Sequence, residues 1–259
     1  IIFSGAGLPL DLPSYLREDS TTKLVPIVSS ARAARVICEK WKANYDYLPD
    51  ALVVEGPKAG GHLGYKREQI DNADYSLERI VPEVVSEVGR YEELYGRRIP
   101  VIAAGGLYTG EDIYRIMRLG ATGVQLGSKF VTTEECDASP TFKQTYIDSS
   151  KDDIEIIASP VGMPGRAIGG EFIRRVKEGL MRPKKCPFHC IKTCDYTKSP
   201  YCIIMALYNA AKGNLSKGYA FCGANAYMSK KITSVRETIE SLKSEFAAAC
   251  RRNGQTAVL

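Results

Sequence analysis

Short apolar runs alternate with longer amphipathic stretches along the first half of the chain. A short, uniformly apolar run is typical of a strand that is buried on both faces of a parallel sheet. Five runs predict such strands: residues 1–4, 24–28, 51–55, 100–104 and 123–127. Apolar residues at helical spacing predict helices over residues 31–43, 76–95 and 109–119. The alternation predicts an α/β fold with parallel strands.

Glycines follow most of the predicted strands, at residues 5–7, 60–64, 105–106 and 127. In a (β/α)8 TIM barrel, the loops that follow the strands all lie on one face, around one ligand. In an open, doubly wound sheet, such loops diverge on the two sides of the switch point. We therefore expect a (β/α)8 barrel, and because five strands cannot close a barrel, we expect an incomplete one.

The pattern changes after about residue 165. Helical patterns at residues 169–179, 199–212 and 232–250 follow one another without clear strands between them. We therefore predict two domains, a partial barrel over residues 1–165 and a helical C-terminal extension or lid over residues 166–259.

The composition narrows the class of protein. The chain has 259 residues, of which 44% are hydrophobic and 25% charged, and its net charge of +5 is spread along the sequence. We therefore expect no nucleic-acid partner. No apolar run reaches the roughly 18 residues of a membrane span, so we expect no membrane partner. Eight cysteines without a secretory signal predict reduced thiols and a cytoplasmic location. The chain opens on Ile1, inside a predicted strand, so we expect that N-terminal sequence is missing.

The segment from Glu55 to Gly64 carries the first candidate chemistry. It follows a predicted strand, contains four glycines between Gly56 and Gly64, and includes His62, one of two histidines in the chain. Glycines let backbone N–H groups approach a ligand, and a histidine exchanges a proton near neutral pH. The alternative interpretation is a surface turn with a solvated histidine.

Two further strand ends predict a phosphate site. Gly105 and Gly106 end one strand, and Gly127 and Ser128 end the next. The last two strand-to-helix loops of a barrel commonly bind phosphate through backbone N–H groups. Gln125 and Lys129 add polar groups there; two ordinary tight turns are the alternative interpretation.

Four cysteines fall within seventeen residues, at Cys186, Cys190, Cys194 and Cys202. Their spacing matches none of the tight zinc or iron–sulfur signatures. We therefore favour the interpretation that these thiols are buried, metal-free and pack a helical lid, rather than the alternative that they bind a metal. Lysines nearby predict a solvated face, with an acidic carrier partner as the alternative: Lys184, Lys185, Lys192 and Lys198.

Several motifs together resemble one family. They are Ser4–Pro9, Glu55–His62, Ile102–Gly106, Gly123–Val131, Ser159–Ala167 and Phe221–Tyr227. This ordered set resembles the nitronate monooxygenase family, formerly called 2-nitropropane dioxygenases. The resemblance implies an FMN-dependent (β/α)8 barrel and a relation to the flavin-dependent enoyl-acyl-carrier-protein reductases. It also implies that the chain corresponds to strands four to eight, because the family's first three strands, with a Gly-Gly-Met loop, have no counterpart here.

The resemblance also assigns roles to residues. It implies that His62 is the catalytic base beside the flavin, that FMN is the cofactor and that no metal is bound. The implied cofactor-binding residues are Glu55, Gly60, Gly61, Gly105, Gly106, Gln125, Leu126, Gly127 and Ser128. In this assignment, His62 removes the acidic proton next to a nitro group, and the flavin carries the redox chemistry.

The expected function is therefore the FMN-dependent oxidation of alkyl nitronates with O2, with a possible homodimer as the assembly. Glutamate at position 55 is a feature of the enoyl reductases, so an NAD(P)H-dependent reductase acting on an enoyl thioester remains the alternative. An inactive partial gene product is a third interpretation.

Overall fold

A computed structural model of the chain describes residues 1–190 and 194–254. Its strands are β1 (Ile2–Ser4), β2 (Leu24–Val28), β3 (Leu52–Glu55), β4 (Gly61–His62), β5 (Val101–Ala104), β6 (Gly123–Gln125), β7 (Ile154–Ala158) and β8 (Pro164–Ile168). Its α-helices are α1 (Ala31–Tyr45), α2 (Arg67–Ile70), α3 (Leu77–Tyr95), α4 (Gly110–Met117), α5 (Ser128–Val131), α6 (Pro140–Asp148), α7 (Glu171–Lys177), α8 (Ile203–Ala211) and α9 (Val235–Arg252).

Five strands form a parallel sheet in the order β1-β2-β3-β5-β6, which follows the chain without a reversal. A doubly wound sheet reverses its strand order at a switch point, whereas a barrel keeps the order of the chain. The predicted α/β fold of the barrel type is therefore confirmed, and all five predicted strands are present within one or two residues. Ile2 and Phe3 of β1 are exposed, so this strand is less buried than its apolar sequence suggests.

The helices beside this sheet begin and end as their sequences predict. Ser30 caps α1 by accepting a hydrogen bond from the N–H of Ala33. Thr109 and Asp112 form the predicted capping box at the start of α4. Gly96 ends α3 in a left-handed conformation that suits glycine. The apolar faces of α1 and α3 are buried, as the helical spacing predicts.

A second, antiparallel sheet has the order β4-β8-β7 and was not predicted. Residues 60–64, predicted as a loop, include β4, and β8 lies where only helices were expected to follow. The segment Pro164–Ile168 contains a proline, a glycine and an alanine, which are uncommon in strands, so its sequence predicts a strand only weakly. The C-terminal part is therefore helical only in part, although α7, α8 and α9 lie where helices were predicted.

The chain divides into two compact units. The first consists of Ile1–Pro57, Arg67–Leu126 and the chain from Ser241 on, and it holds the parallel sheet. The second consists of Lys58–Lys66 and Gly127–Glu240, and it holds the antiparallel sheet. The domain boundary predicted after residue 165 falls within β8 and stays a prediction. In the described residues, no helix is both long and apolar enough to cross a membrane.

Candidate active site

Three predicted site elements share one edge of the parallel sheet. The register pairs Glu55 of β3 with Ala104 of β5, and Ala104 with Gln125 of β6. We call these three residues the strand-end row. Because parallel strands all end at the same edge, the predicted cofactor-binding residues Gly105, Gly106 and Leu126 follow the row directly. The register thus brings five of the nine predicted cofactor-binding residues to one edge of the sheet.

Burial changes the acid–base behaviour of Glu55. Removal from water disfavours the carboxylate and raises the pKa of Glu55 to about 7. A glutamate with this pKa is partly protonated at neutral pH, so it can donate as well as accept a hydrogen bond. Gln125, at the other end of the row, is exposed and presents a carboxamide with the same two capacities.

The loop after β5 contains two consecutive glycines in left-handed conformations. Gly105 and Gly106 have φ values of 95° and 80°, a left-handed conformation that disfavours any residue with a Cβ. Their predicted position at the end of a buried strand is confirmed, since Ala103 and Ala104 are both buried. Both positions therefore favour glycine, so two consecutive peptide groups carry no Cβ atoms.

His62 is held by the antiparallel sheet. It lies on β4, opposite Gly165 of β8, and its Nε2 lies 2.7 Å from the Oγ of Ser159. Its ring packs edge-on against Phe221, with 5.0 Å between the ring centres. Burial lowers the pKa of His62 below its usual value, so the imidazole is neutral at pH 7. The alternative of a solvated turn histidine is wrong, because the ring is half-buried and has fixed partners.

The hairpin between β7 and β8 brings Ser159 to His62. Ser159 follows β7, and its backbone N–H donates to the carbonyl of Met163. Gly162 completes the turn with a φ of 80° and donates to the carbonyl of Ser159. Because β8 pairs with both β4 and β7, the turn places the serine hydroxyl beside the imidazole.

Gly60 and Gly165 are required by close packing around His62. A Cβ on Gly60 would lie 2.5 Å from the carbonyl carbon of Cys222, too close for any side chain. A Cβ on Gly165 would lie 2.9 Å from the Phe221 ring. Gly61 has a φ of 75° but open space around it. The glycines of this segment therefore serve backbone packing as well as the predicted access of a ligand.

Gly60 and Ser128 converge on the same peptide group. The N–H of Gly223 donates to the Oγ of Ser128 at 2.7 Å, and it also lies against Gly60. The hydroxyl hydrogen of Ser128 is left for a further acceptor. Gly127, just before Ser128, is exposed. The segment around Gly223 belongs to one of the motifs that carry the family resemblance, although the sequence did not mark it as part of the site.

Sequence reasoning also missed the residues behind Ser159. The hydroxyl of Tyr201 lies close to the side chain of Ser159. It also lies 3.1 Å from the hydroxyl of Tyr219, and both tyrosines are buried. The Tyr219 ring in turn packs edge-on against Phe221. The signal for Ser159 was its place in a family motif, whereas nothing in the sequence distinguishes these tyrosines from ordinary core residues.

The four cysteines of the C-terminal part line one pocket, together with Tyr196 and Tyr201. Cys190 and Cys194 are exposed and Cys186 and Cys202 half-buried, so the predicted burial of these thiols is wrong. The segment before Cys190 is irregular, since Pro183 and Pro187 interrupt it, and it offers no single helical face. Within residues 1–190 and 194–254, no group of three or more metal-ligating side chains is arranged to hold an ion. Lys192 lies outside the described residues.

The fold and the strand-end loops define the class of an α/β enzyme of the barrel type, and comparison with known sequences identifies the family. The profile of the family described as nitronate monooxygenase matches residues 1–245. The chain therefore belongs to the nitronate monooxygenase family, whose members are flavin-dependent oxidoreductases.

A curated relative is similar over part of the chain. It is a probable nitronate monooxygenase of Staphylococcus saprophyticus, 33% identical over 138 residues. The match covers 52% of this chain and 36% of the relative. The matches to the curated relatives thus span less than half of the relatives' own length.

Two solved structures share the fold over nearly the whole chain. FabK from Thermotoga maritima has a TM-score of 0.71 and 26% identity, and the match covers 97% of this chain and 69% of FabK. Nitroalkane oxidase from Streptomyces ansochromogenes has a TM-score of 0.63 at 22% identity, with 90% and 59% covered, which shows a common fold. The predicted relation to both branches of the superfamily is confirmed.

Proposed function

We propose that this protein binds FMN and oxidises alkyl nitronates with O2, with His62 as the base that forms the nitronate from a neutral nitroalkane. The observation that carries the proposal is the state of His62. Burial keeps its imidazole neutral, and Ser159 and Phe221 fix the ring. A neutral imidazole in a fixed orientation is suited to remove a proton from carbon.

The residues present fit a flavin. Gly105 and Gly106 have left-handed conformations and carry no Cβ atoms, and the backbone N–H groups of such loops are donors that commonly bind phosphate. Glu55 and Gln125 offer groups that both donate and accept, which suits the polar edge of a flavin ring. In our proposal the cofactor-binding set is completed by Gly60, Gly61, Leu126, Gly127 and Ser128. Once bound, FMN supplies the electron acceptor that reacts with O2.

The residues of this chain supply the proton chemistry. His62 takes the proton from the carbon next to the nitro group, and the electron pair of that C–H bond moves into the C=N bond of the nitronate. A placed base contributes about 10²–10⁴-fold to such a step. Burial of His62 keeps the base unprotonated below its usual pKa, so the reaction extends to mildly acidic pH.

The test uses the purified protein with FMN. We expect a yellow protein that consumes a preformed alkyl nitronate together with O2 in the absence of nicotinamide. A protein that takes up no FMN on titration contradicts the cofactor, and one that binds FMN but leaves the nitronate intact contradicts the reaction. A cytoplasmic location, a small-molecule substrate and a homodimer remain predictions.

Two observations favour a second candidate, an NAD(P)H-dependent enoyl-thioester reductase. Glutamate stands at position 55, and FabK is similar over 97% of the chain. In this case NADH or NADPH would reduce the flavin rapidly, and a crotonyl thioester would reoxidise it. The same preparation, assayed with both pairs of substrates, decides between the two reactions.

A further inference from the structure

The start of helix α4 is bound by a side chain that lies 135 residues further along the chain. The N–H of Gly110, the first residue of α4, donates a hydrogen bond to Oε2 of Glu245 in α9, at 2.7 Å. Ser241, one turn earlier in α9, donates its hydroxyl to the other carboxylate oxygen of Glu245, at 2.8 Å. Both oxygens of this carboxylate therefore have fixed partners.

The two helices approach each other closely at this point. Gly110 is buried, and a Cβ at its position would lie 2.3 Å from the carbonyl oxygen of Leu242 in α9. The next turn of each helix adds an aromatic contact, because the rings of Tyr114 and Phe246 pack edge-on with 6.1 Å between their centres. The part of α9 from Ser241 on is therefore packed directly against the first two turns of α4.

The loop before α4 is the one in which we propose that Gly105 and Gly106 bind the flavin phosphate. The first end of this loop is fixed by β5, which pairs with a strand on each side. Its second end is fixed by Asp112, whose Oδ2 accepts the N–H groups of Tyr108 and Thr109, each at 3.0 Å. The two glycines therefore lie between two anchored ends.

Two carboxylates, Asp112 and Glu245, thus accept the three consecutive N–H groups from Tyr108 to Gly110. Hydrogen bonds from backbone N–H groups to a carboxylate are stronger than those to a neutral acceptor, and negative charge at the start of a helix is stabilised by the helix dipole. Glycine loses more conformational freedom on ordering than any other residue. A loop that is already held in place spares a ligand that cost when it binds.

We propose that Glu245 is a positioning residue for the flavin site: through Gly110, it holds the loop of Gly105 and Gly106 in the arrangement that receives the flavin phosphate. The inference rests on the proposed function, because that function places the phosphate at these two glycines. Binding of the flavin then depends on α9, although α9 supplies none of the predicted cofactor-binding residues.

The test measures FMN affinity and amide hydrogen exchange in the full chain. Glu245→Ala removes the acceptor of the Gly110 N–H and should weaken FMN binding about tenfold, which corresponds to roughly 1.4 kcal/mol. Without flavin, the amides of Tyr108 and Thr109 should exchange about fivefold faster or more in this variant, because the loop opens more often. Glu245→Gln keeps an acceptor oxygen and should restore both quantities to within about twofold of the parent values.

The matched control is Glu111→Ala. Glu111 lies in the same first turn of α4 and also contacts α9, since its carboxylate lies 2.9 Å from the guanidinium of Arg252. This variant removes a carboxylate and an α4–α9 contact but leaves the hydrogen bond of Gly110 in place. It should keep the parent FMN affinity and the parent exchange rates in the loop.

Two results overturn the inference. One is a Glu245→Ala variant with the parent FMN affinity and loop exchange. The other is equal losses in Glu111→Ala and Glu245→Ala, or faster exchange over the whole chain in Glu245→Ala, because the effect is then a general loss of stability. Exchange is measured without flavin, so failure of the proposed function is seen separately, as a parent protein that takes up no FMN.

Discussion

The parallel sheet pairs strands that follow one another along the chain, whereas the antiparallel sheet pairs Gly61 and His62 with residues 165 and 166. In the first, register alone aligns Glu55, Ala104 and Gln125 at one edge. In the second, a two-residue strand, a hairpin and a buried serine are needed to fix one histidine. The comparison shows that repeated parallel strands are enough to align residues at one edge of a sheet. A single oriented base, in contrast, requires contacts between distant parts of the sequence.

The largest effect is expected at His62. Full loss of the imidazole in His62→Ala should lower kcat/KM for a neutral nitroalkane by about 10²–10⁴-fold, because the proton is then lost to water. Turnover of a preformed nitronate should change far less, since it needs no base. Steady-state rates with the two substrates measure this, with His189→Gln as the control. Equal activity of His62→Ala and the parent on the neutral substrate would remove His62 from the mechanism.

Alanine substitutions at two adjacent glycines test the packing around His62. Gly60→Ala should destabilise the fold by about 3 kcal/mol or more, because its Cβ would overlap the backbone of Cys222. Gly61→Ala should cost only about 1–2 kcal/mol, since its Cβ meets open space and the cost is the left-handed backbone. Thermal unfolding midpoints compare the two. Equal shifts would show that the close approach at Gly60 relaxes easily.

Glu55, in the strand-end row, should make the stability of the folded protein depend on pH. The folded-state pKa of Glu55 is about 7, above the ordinary 4.5, so the folded protein holds a proton that the unfolded chain releases. Stability should therefore fall as pH rises from about 4.5 to 7, by an amount on the order of 3 kcal/mol. Glu55→Gln should flatten this part of the curve. Urea unfolding from pH 4.5 to 8 measures it, and an unchanged slope would contradict the assignment.

Flavin affinity at the same edge is tested by a pair of glycines. Gly106→Ala and Gly96→Ala both place a Cβ on a left-handed backbone, with φ values of 80° and 62°. Their costs in stability should therefore be similar, about 1–2 kcal/mol. Only Gly106→Ala should weaken FMN binding, about tenfold, which corresponds to roughly 1.4 kcal/mol. Fluorescence titration with FMN is the measurement, and equal affinities would exclude Gly106 from the site.

The smallest effect is expected at the four cysteines. We expect no stoichiometric zinc or iron in the purified protein, and Cys190→Ser should change neither metal content nor FMN binding. Elemental analysis of the parent and the variant is sufficient. Stoichiometric metal that is lost in Cys190→Ser would show that these thiols form a metal site.

Sequence patterns were sufficient where structure is local. The strands of the parallel sheet and the capping box at Thr109 depend on neighbouring residues, and they were predicted within one or two positions. The strand β4 has two residues, too few for any periodic signal, and it exists only because β8 pairs with it. His62 could be selected because the chain has two histidines, but its partner Ser159 lies 97 residues away. Partners at such a distance are set by topology and leave no mark in local sequence.

The pairing of β4 with β8 also has a consequence for how the protein acquires its structure. Pairing of distant residues requires the chain to lose loop-closure entropy before the contact contributes any stability. Long-range pairs therefore form late in folding. During synthesis, His62 leaves the ribosome well before Gly165 and Ser159 exist. The strands β2 and β3 can pair in that interval, whereas the residues that contact His62 have not yet been synthesised. The orientation of His62 should accordingly be among the last features to form during translation, and an interruption of synthesis before residue 159 would leave a folded sheet edge without an oriented base.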